Sequence, residues 1–265
     1  MREVYVGRSI SMMRMVLTDL DHTLLRQDGS ISEASLDVIA ACRSKGIRLA
    51  IATARYWIGA ERYILLLKPD YEITTDGTLI HAEDECIYSK AFSIGDTNRI
   101  VRSVLARMPD TEISVAHGKT VFWNSKHIAE SERLYKAVYN DYSRDLEVGA
   151  NKIAAILSDE QMAQEIADEI GCKLQCYRGE NMYAFLPKDS GKIQAIQALS
   201  ERSGIAIADI VAFGDDKNDI DMLTMCGRGV AVANAIPEVL AVADEITASN
   251  DEDGVAEWMR KNCLP

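Results

Sequence analysis

The chain has 265 residues, 48% of them hydrophobic, enough to bury one large core or two of ordinary size. Its formal net charge of -12 argues against nonspecific nucleic-acid binding, which needs a basic footprint, and means that any anion site must carry its own local positive charge. No apolar run is long enough to span a membrane, no secretory leader pattern is present, and six scattered cysteines and four histidines lack zinc spacing, so a reduced, cytoplasmic setting is expected.

The first dozen residues, 1–12, read as an extension, and the first strand starts near Met13 to Met15. That strand runs through Val16, Leu17 and Thr18 into Asp19-Leu20-Asp21-His22-Thr23-Leu24-Leu25. Residues i and i+2 of an extended chain share a face, so the spacing aims Asp19 and Asp21 into one pocket. Two carboxylates that close repel unless a cation or a proton lies between them. Ser32 to Lys45 has helical apolar spacing, with Ser32 as N-cap and Gly46 as the stop. Strands follow at Ile47–Thr53 and Asp70–Thr75, the latter closed by Asp76-Gly77. Apolar strands alternating with helices predict a parallel sheet covered on both faces.

From about 83 to 188 the strands come in pairs instead. Glu112–Ala116 and Thr120–Asn124 flank His117-Gly118, and Lys173–Arg178 and Met182–Leu186 flank Gly179-Glu180-Asn181. Between the pairs, helices are expected near 127–140 and 159–170 and a strand near 152–157. The α/β rhythm returns after Pro187, with a helix over 191–203, a strand over 210–213, a helix from about 218 to 226, and strands near 229–233 and 245–248. The expected fold is therefore α/β: a parallel sheet core covered on both faces, formed by 1–82 and 189–265, with an inserted α+β domain over 83–188.

A second acidic cluster, Gly214-Asp215-Asp216-Lys217-Asn218-Asp219, follows the strand Ile210–Phe213. Hard cations such as Mg2+ take oxygen ligands and keep several waters, so Asp19 and Asp215 with one backbone carbonyl would suffice to hold one. Asp19, Asp21, Thr53, Lys192 just inside a helix start, and Asp215, Asn218 and Asp219 all fall at strand ends. Ligands of open parallel sheets bind beyond the carboxyl ends of the strands, so these pieces can face one crevice.

In this order the motifs resemble those of the haloacid dehalogenase-like superfamily, within it the Cof-type (IIB) phosphatases. The stretches that match are Asp19–Leu25, Ala52-Thr53-Ala54-Arg55, Lys192, Gly214–Leu223, and two tail segments, Val230–Ala235 and Asn250–Val255. The resemblance implies that the core is a Rossmann-like, doubly wound parallel sheet, that residues 83–188 form a cap inserted after the third strand, and that the chain is a Mg2+-dependent phosphatase of small phosphorylated metabolites. It implies further that Asp19 attacks phosphorus and that Asp21 exchanges the proton. Thr53 and Lys192 would hold the phosphoryl oxygens, and Asn218 would orient Asp215 or the phosphate. The metal would be held by Asp19, the Asp21 carbonyl and Asp215, with support from Asp219. Other readings are a phosphosugar mutase and a metabolite-binding regulator with vestigial catalysis.

The chain departs from the family pattern at His22 and Ala54, where glycine is usual, at Asp76, where asparagine is common, and at Ile193, where glycine is common. His22 is expected either to take an unusual backbone angle or to project toward the cap, where it would narrow the substrate or leaving-group space. Arg55 is as much a salt-bridge candidate as a substrate contact. Gly227-Arg228-Gly229 lacks the third glycine of a dinucleotide fingerprint, and Ser190-Gly191-Lys192-Ile193 is not a P-loop.

Overall fold

The computed structural model describes residues 13–125, 137–177 and 181–264. In chain order its elements begin with β1 (Met15–Thr18), α1 (Glu33–Ser44), β2 (Arg48–Ala52), α2 (Trp57–Leu67) and β3 (Tyr71–Thr74). Next come β4 (Leu79–Ala82), β5 (Glu85–Ser89), α3 (Ile94–Arg107), β6 (Ile113–His117), β7 (Thr120–Trp123) and β8 (Val138–Tyr139). β9 (Lys152–Ile156), α4 (Glu160–Ile170), β10 (Lys173–Cys176), β11 (Met182–Leu186) and α5 (Lys192–Ser203) follow. The last are β12 (Ile210–Gly214), α6 (Ile220–Met225), β13 (Arg228–Ala231), α7 (Pro237–Leu240), β14 (Glu245–Ile246) and α8 (Gly254–Cys263).

The chain divides into two compact units. The first comprises 1–52, 69–71 and 196–265. Its strands run in the order β14-β13-β12-β1-β2 with every pairing parallel. All four residues of β1 are buried, as a central strand covered on both faces requires. α1 starts where the Ser32 hydroxyl accepts the Ser35 N–H at 3.0 Å, and it packs against α8. Phe213 of β12 meets Trp258 of α8 edge to face, with ring centroids 5.3 Å apart. The parallel α/β core expected from the sequence is present.

The second unit comprises 53–68 and 72–195. β3, β4 and β5 form an antiparallel meander. A six-stranded sheet follows the order β10-β11-β9-β6-β7-β8, antiparallel except for β7 with β8. Its inner face carries Val115, Ile153 and Phe185, which pack with Ile100 and Val104 of α3 and Ile166 of α4. Most of the helix expected over 127–140 lies outside the described residues, and its described end, Val138–Tyr139, is a strand. The extension 1–12 and the turn residues Gly179 and Glu180 also lie outside them. The β4–β5 hairpin is not legible in the sequence, because its turn uses Glu83 and Asp84 at φ 47° and 66° in place of the usual Asn-Gly. Among the described residues no helix is long and apolar enough to cross a membrane.

Candidate active site

In the first unit, the chain leaving β1 is fastened to the end of β12. The Asp19 N–H donates to the Phe213 carbonyl at 3.0 Å, one step beyond the Thr18–Phe213 register pair. Asp19 and Asp215, 196 residues apart in sequence, are thereby brought to one place. Asp19, Asp215 and Asp219 each offer a carboxylate oxygen, all within 4.8 Å of one another. All three residues are buried, at 7%, 9% and 0% exposure.

Two carboxylates of this group are held from behind. Asp219 Oδ2 accepts the backbone N–H groups of Asp215 at 2.9 Å and Asp216 at 3.1 Å, while Asp216 caps the short turn Lys217–Asp219 in return. Gly214 is required here, since a Cβ at that position would lie 2.5 Å from Asp219 Cβ. Thr23 donates its hydroxyl to Asp215 Oδ1 at 2.6 Å. Three buried carboxylates this close repel one another, and an all-oxygen donor set of this kind suits a hard divalent cation. The residues present therefore fit a metal ion.

Asp21 is half-buried in extended backbone (φ −67°, ψ 130°), and its side chain is not a member of the three-carboxylate group. His22 is exposed and takes the left-handed conformation (φ 57°, ψ 2°), the unusual angle its replacement of glycine foreshadows. Asn218 is half-buried in the turn that presents Asp219.

Two tail asparagines, quoted with the motifs but given no role, fix the loop after β1. Asn234 Nδ2 donates to the His22 carbonyl at 2.7 Å and Asn250 Nδ2 to the Leu25 carbonyl at 2.8 Å. The Asn250 N–H also donates to Asn234 Oδ1 at 2.9 Å, tying the two together. Thr23 is likewise a residue whose role the sequence does not disclose. The only signal was its place two residues after Asp21, whereas its partner lies 192 positions away.

Thr53 and Lys192 belong to the second unit, and both are buried. Thr53 ends the run through β2, its N–H donating to the Ile73 carbonyl at 2.9 Å and its hydroxyl accepting the Arg55 N–H at 3.1 Å. Lys192 opens α5 behind Ser190-Gly191, where Gly191 has φ 149°. Arg55 donates to the Gly59 carbonyl at 3.1 Å and lies 5.2 Å from the Tyr63 ring centroid. Gly227 and Gly229 are explained by packing, since a Cβ on either would strike the carbonyl of Ala208 or Leu223.

Comparison with known proteins agrees with this arrangement. A family model of haloacid dehalogenase-like hydrolases matches residues 16–259. The HMP-PP phosphatase of Cronobacter sakazakii is 27% identical over 87% of this chain and 88% of its own. The 5-amino-6-(5-phospho-D-ribitylamino)uracil phosphatase YitU of Bacillus subtilis is 26% identical over 93% of this chain and 96% of its own. Among solved structures, the subclass IIB sugar phosphatase BT4131 shares the fold with a TM-score of 0.80 over 94% of this chain and 98% of its own, at 21% identity. An acidic cluster assembled at adjacent parallel strand ends and a family match over most of the chain lead to one conclusion: the protein belongs to the haloacid dehalogenase-like hydrolases, among the Cof-type phosphatases.

Proposed function

We propose that this chain is a Mg2+-dependent phosphatase of small phosphorylated metabolites, sugar phosphates or similar, working through an aspartyl-phosphate on Asp19. The observation that carries the reading is the buried convergence of Asp19, Asp215 and Asp219 within 4.8 Å. Asp19, Asp215 and the Asp21 carbonyl would hold Mg2+, with Asp219 supporting it directly or through water. When bound, the ion supplies positive charge against the phosphoryl oxygens and the nucleophile.

The chain's own residues do the rest. Asp19 attacks phosphorus and carries the phosphoryl group, which splits one difficult displacement into two. Asp21, outside the three-carboxylate group and partly open to solvent, protonates the leaving oxygen and then takes the proton from the attacking water. Thr53 and Lys192 hold the phosphoryl oxygens, and Asn218 orients Asp215 or the phosphate. In phosphoryl transfer such positioning and charge stabilisation supply nearly all of the catalysis. On a chain of net charge -12, a lysine at a helix start gives the local positive charge that a phosphate needs.

The substrate class is supported by the relatives, named for HMP-PP, a phosphoribitylamino-uracil and sugar phosphates. In this reading residues 83–188 act as the cap that excludes bulk water and selects the leaving group, and the enzyme works in the cytoplasm.

A phosphate-release screen over a library of phosphorylated metabolites tests the proposal. Hydrolysis should require Mg2+ and fall at least about a thousandfold in Asp19→Asn. Transfer of the phosphoryl group between two sugar positions, dependent on an activating bisphosphate and without release of free phosphate, would indicate a mutase. Ligand binding without turnover of p-nitrophenyl phosphate or any library member would indicate a regulator.

A further inference from the structure

Within the second unit, Lys152 is the first residue of β9 and is buried together with Asp76, their side chains 5% and 4% exposed. A lysine is rarely buried this far unless its charge is matched. An ammonium group has three N–H donors, and Lys152 has three acceptors in place. It donates to Asp76 Oδ2 at 2.6 Å, to the Tyr177 hydroxyl at 2.5 Å and to the Ala54 carbonyl at 3.0 Å. Tyr177 in turn donates to Asp76 Oδ2 at 2.6 Å. The ammonium also lies 5.0 Å and 4.8 Å from the ring centroids of Tyr56 and Tyr177.

What this cluster grips is the backbone that carries Thr53 and Lys192. Asp76 lies in the turn Thr75–Gly77, where three consecutive residues have positive φ of 56°, 56° and 81°. For the β-branched Thr75 that angle is a strained conformation, which persists only when the surroundings impose it. The turn is bonded to the segment after β2 by two hydrogen bonds, Thr75 N–H to the Arg55 carbonyl at 2.7 Å and Asp76 N–H to the Thr53 carbonyl at 3.2 Å. On its other side Gly77 packs directly on Gly191 and Lys192, since a Cβ there would lie 2.3 Å from Gly191 and 2.6 Å from the Lys192 nitrogen. One strained turn is thus wedged between the two phosphate-binding residues of the proposed mechanism, and Lys152 clamps both the turn and Ala54.

We propose that Lys152, through Asp76, Tyr177 and the Ala54 carbonyl, is a positioning residue that sets Thr53 and Lys192 for a phosphoryl group. With all three donors occupied inside the protein, Lys152 does not bind substrate itself. The inference rests on the reading of Thr53 and Lys192 as phosphate contacts. It adds to that reading a residue contributed by the central strand of the α+β sheet.

The full chain is compared with Lys152→Met, Tyr177→Phe and the double variant Asp76→Asn/Lys152→Met. Three quantities are read: affinity for inorganic phosphate by calorimetry in Mg2+, KM and kcat for p-nitrophenyl phosphate, and the Mg2+ half-saturation point. Lys152→Met should weaken phosphate binding and raise KM in parallel by about tenfold to a hundredfold, with Mg2+ half-saturation within about twofold of wild type. Tyr177→Phe, which removes a single hydroxyl, should move the same two quantities less. If Lys152→Met does not fold because Asp76 is left as a lone buried charge, the double variant removes both charges and serves in its place.

Unchanged phosphate affinity in a folded variant overturns the proposal. So does a matching loss of Mg2+ affinity, which is the mark of general loosening. Wild-type protein that binds phosphate but hydrolyses no ester overturns the hydrolytic reading alone, since the positioning role is still read from phosphate affinity. Wild-type protein that neither binds phosphate nor hydrolyses esters overturns both.

Discussion

Thr23 shows how much of an acidic centre is built from neutral side chains. Its hydroxyl donates to Asp215 Oδ1 at 2.6 Å and so holds a carboxylate that also offers an oxygen to the group with Asp19 and Asp219. A hydrogen bond to a charged group contributes about 1.5–3 kcal/mol, so losing it corresponds to about a tenfold or larger change in an equilibrium constant. Thr23→Val should therefore raise the Mg2+ concentration for half-maximal activity about tenfold, while Thr23→Ser, which keeps the hydroxyl, leaves it near wild type. A Mg2+ titration of both variants in a phosphate-release assay decides the point. Equal half-saturation for Val and Ser would mean that the hydroxyl does not hold Asp215 in its working orientation.

At the level of elements, the antiparallel pair β3–β4 buries two titratable groups opposite each other, Glu72 and His81. Burial raises the Glu72 carboxyl above its usual range despite the Trp57 indole N–H donated to it at 2.7 Å. Burial is also the main cause that pushes His81 down to about 4, aided by the charge of Lys119 and opposed by Asp84. His81 Nδ1 has no hydrogen-bond partner among the described residues, so no hydrogen bond at that nitrogen favours the imidazolium.

The signs of the two groups differ. The unfolded chain protonates His81 near 6.5 while the folded one resists until about 4, so this histidine's contribution to stability is lost as pH falls through that window. Glu72, with its folded value raised, contributes in the opposite sense, its stabilisation fading as pH rises through its folded value. His81→Gln should therefore flatten the fall in melting temperature between pH 6.5 and 4, measured by thermal unfolding across that range. A slope as steep as wild type's would show that His81 is not the group taking up the proton.

For the molecule as a whole, an acidic centre inside an already acidic chain sets function against stability. Without a cation, Asp19, Asp215 and Asp219 repel one another from buried positions. Neutralising one of them should relieve that repulsion at the expense of the metal site, a trade common at active sites. Asp215→Asn should thus melt above wild type in a chelator and show no rise with added Mg2+. Wild type should gain about 2.7 kcal/mol of stability at a Mg2+ concentration a hundred times its Kd. Thermal scans of both proteins with and without Mg2+ test this. Parallel curves would mean that the cluster is not the site where Mg2+ binds.

The sequence by itself determined where strands end, turn and cap, because these features are written in local order. Asp19 and Asp21 two positions apart after an apolar strand, Gly214 before Asp215, and Ser32 at a helix start are all features of short-range geometry. The parallel α/β rhythm was legible for the same reason. The Glu83–Asp84 hairpin was not, since glutamate is not a usual carrier of positive φ in such a turn and no glycine follows it. The tertiary structure alone decided which distant partners hold the site in place. It gave Thr23 to Asp215 across 192 positions and paired Asp76 with Lys152 across 76. The physical reason is that a buried charge or hydroxyl must find its partner wherever packing brings one, and packing is a property of the whole chain that no local pattern encodes.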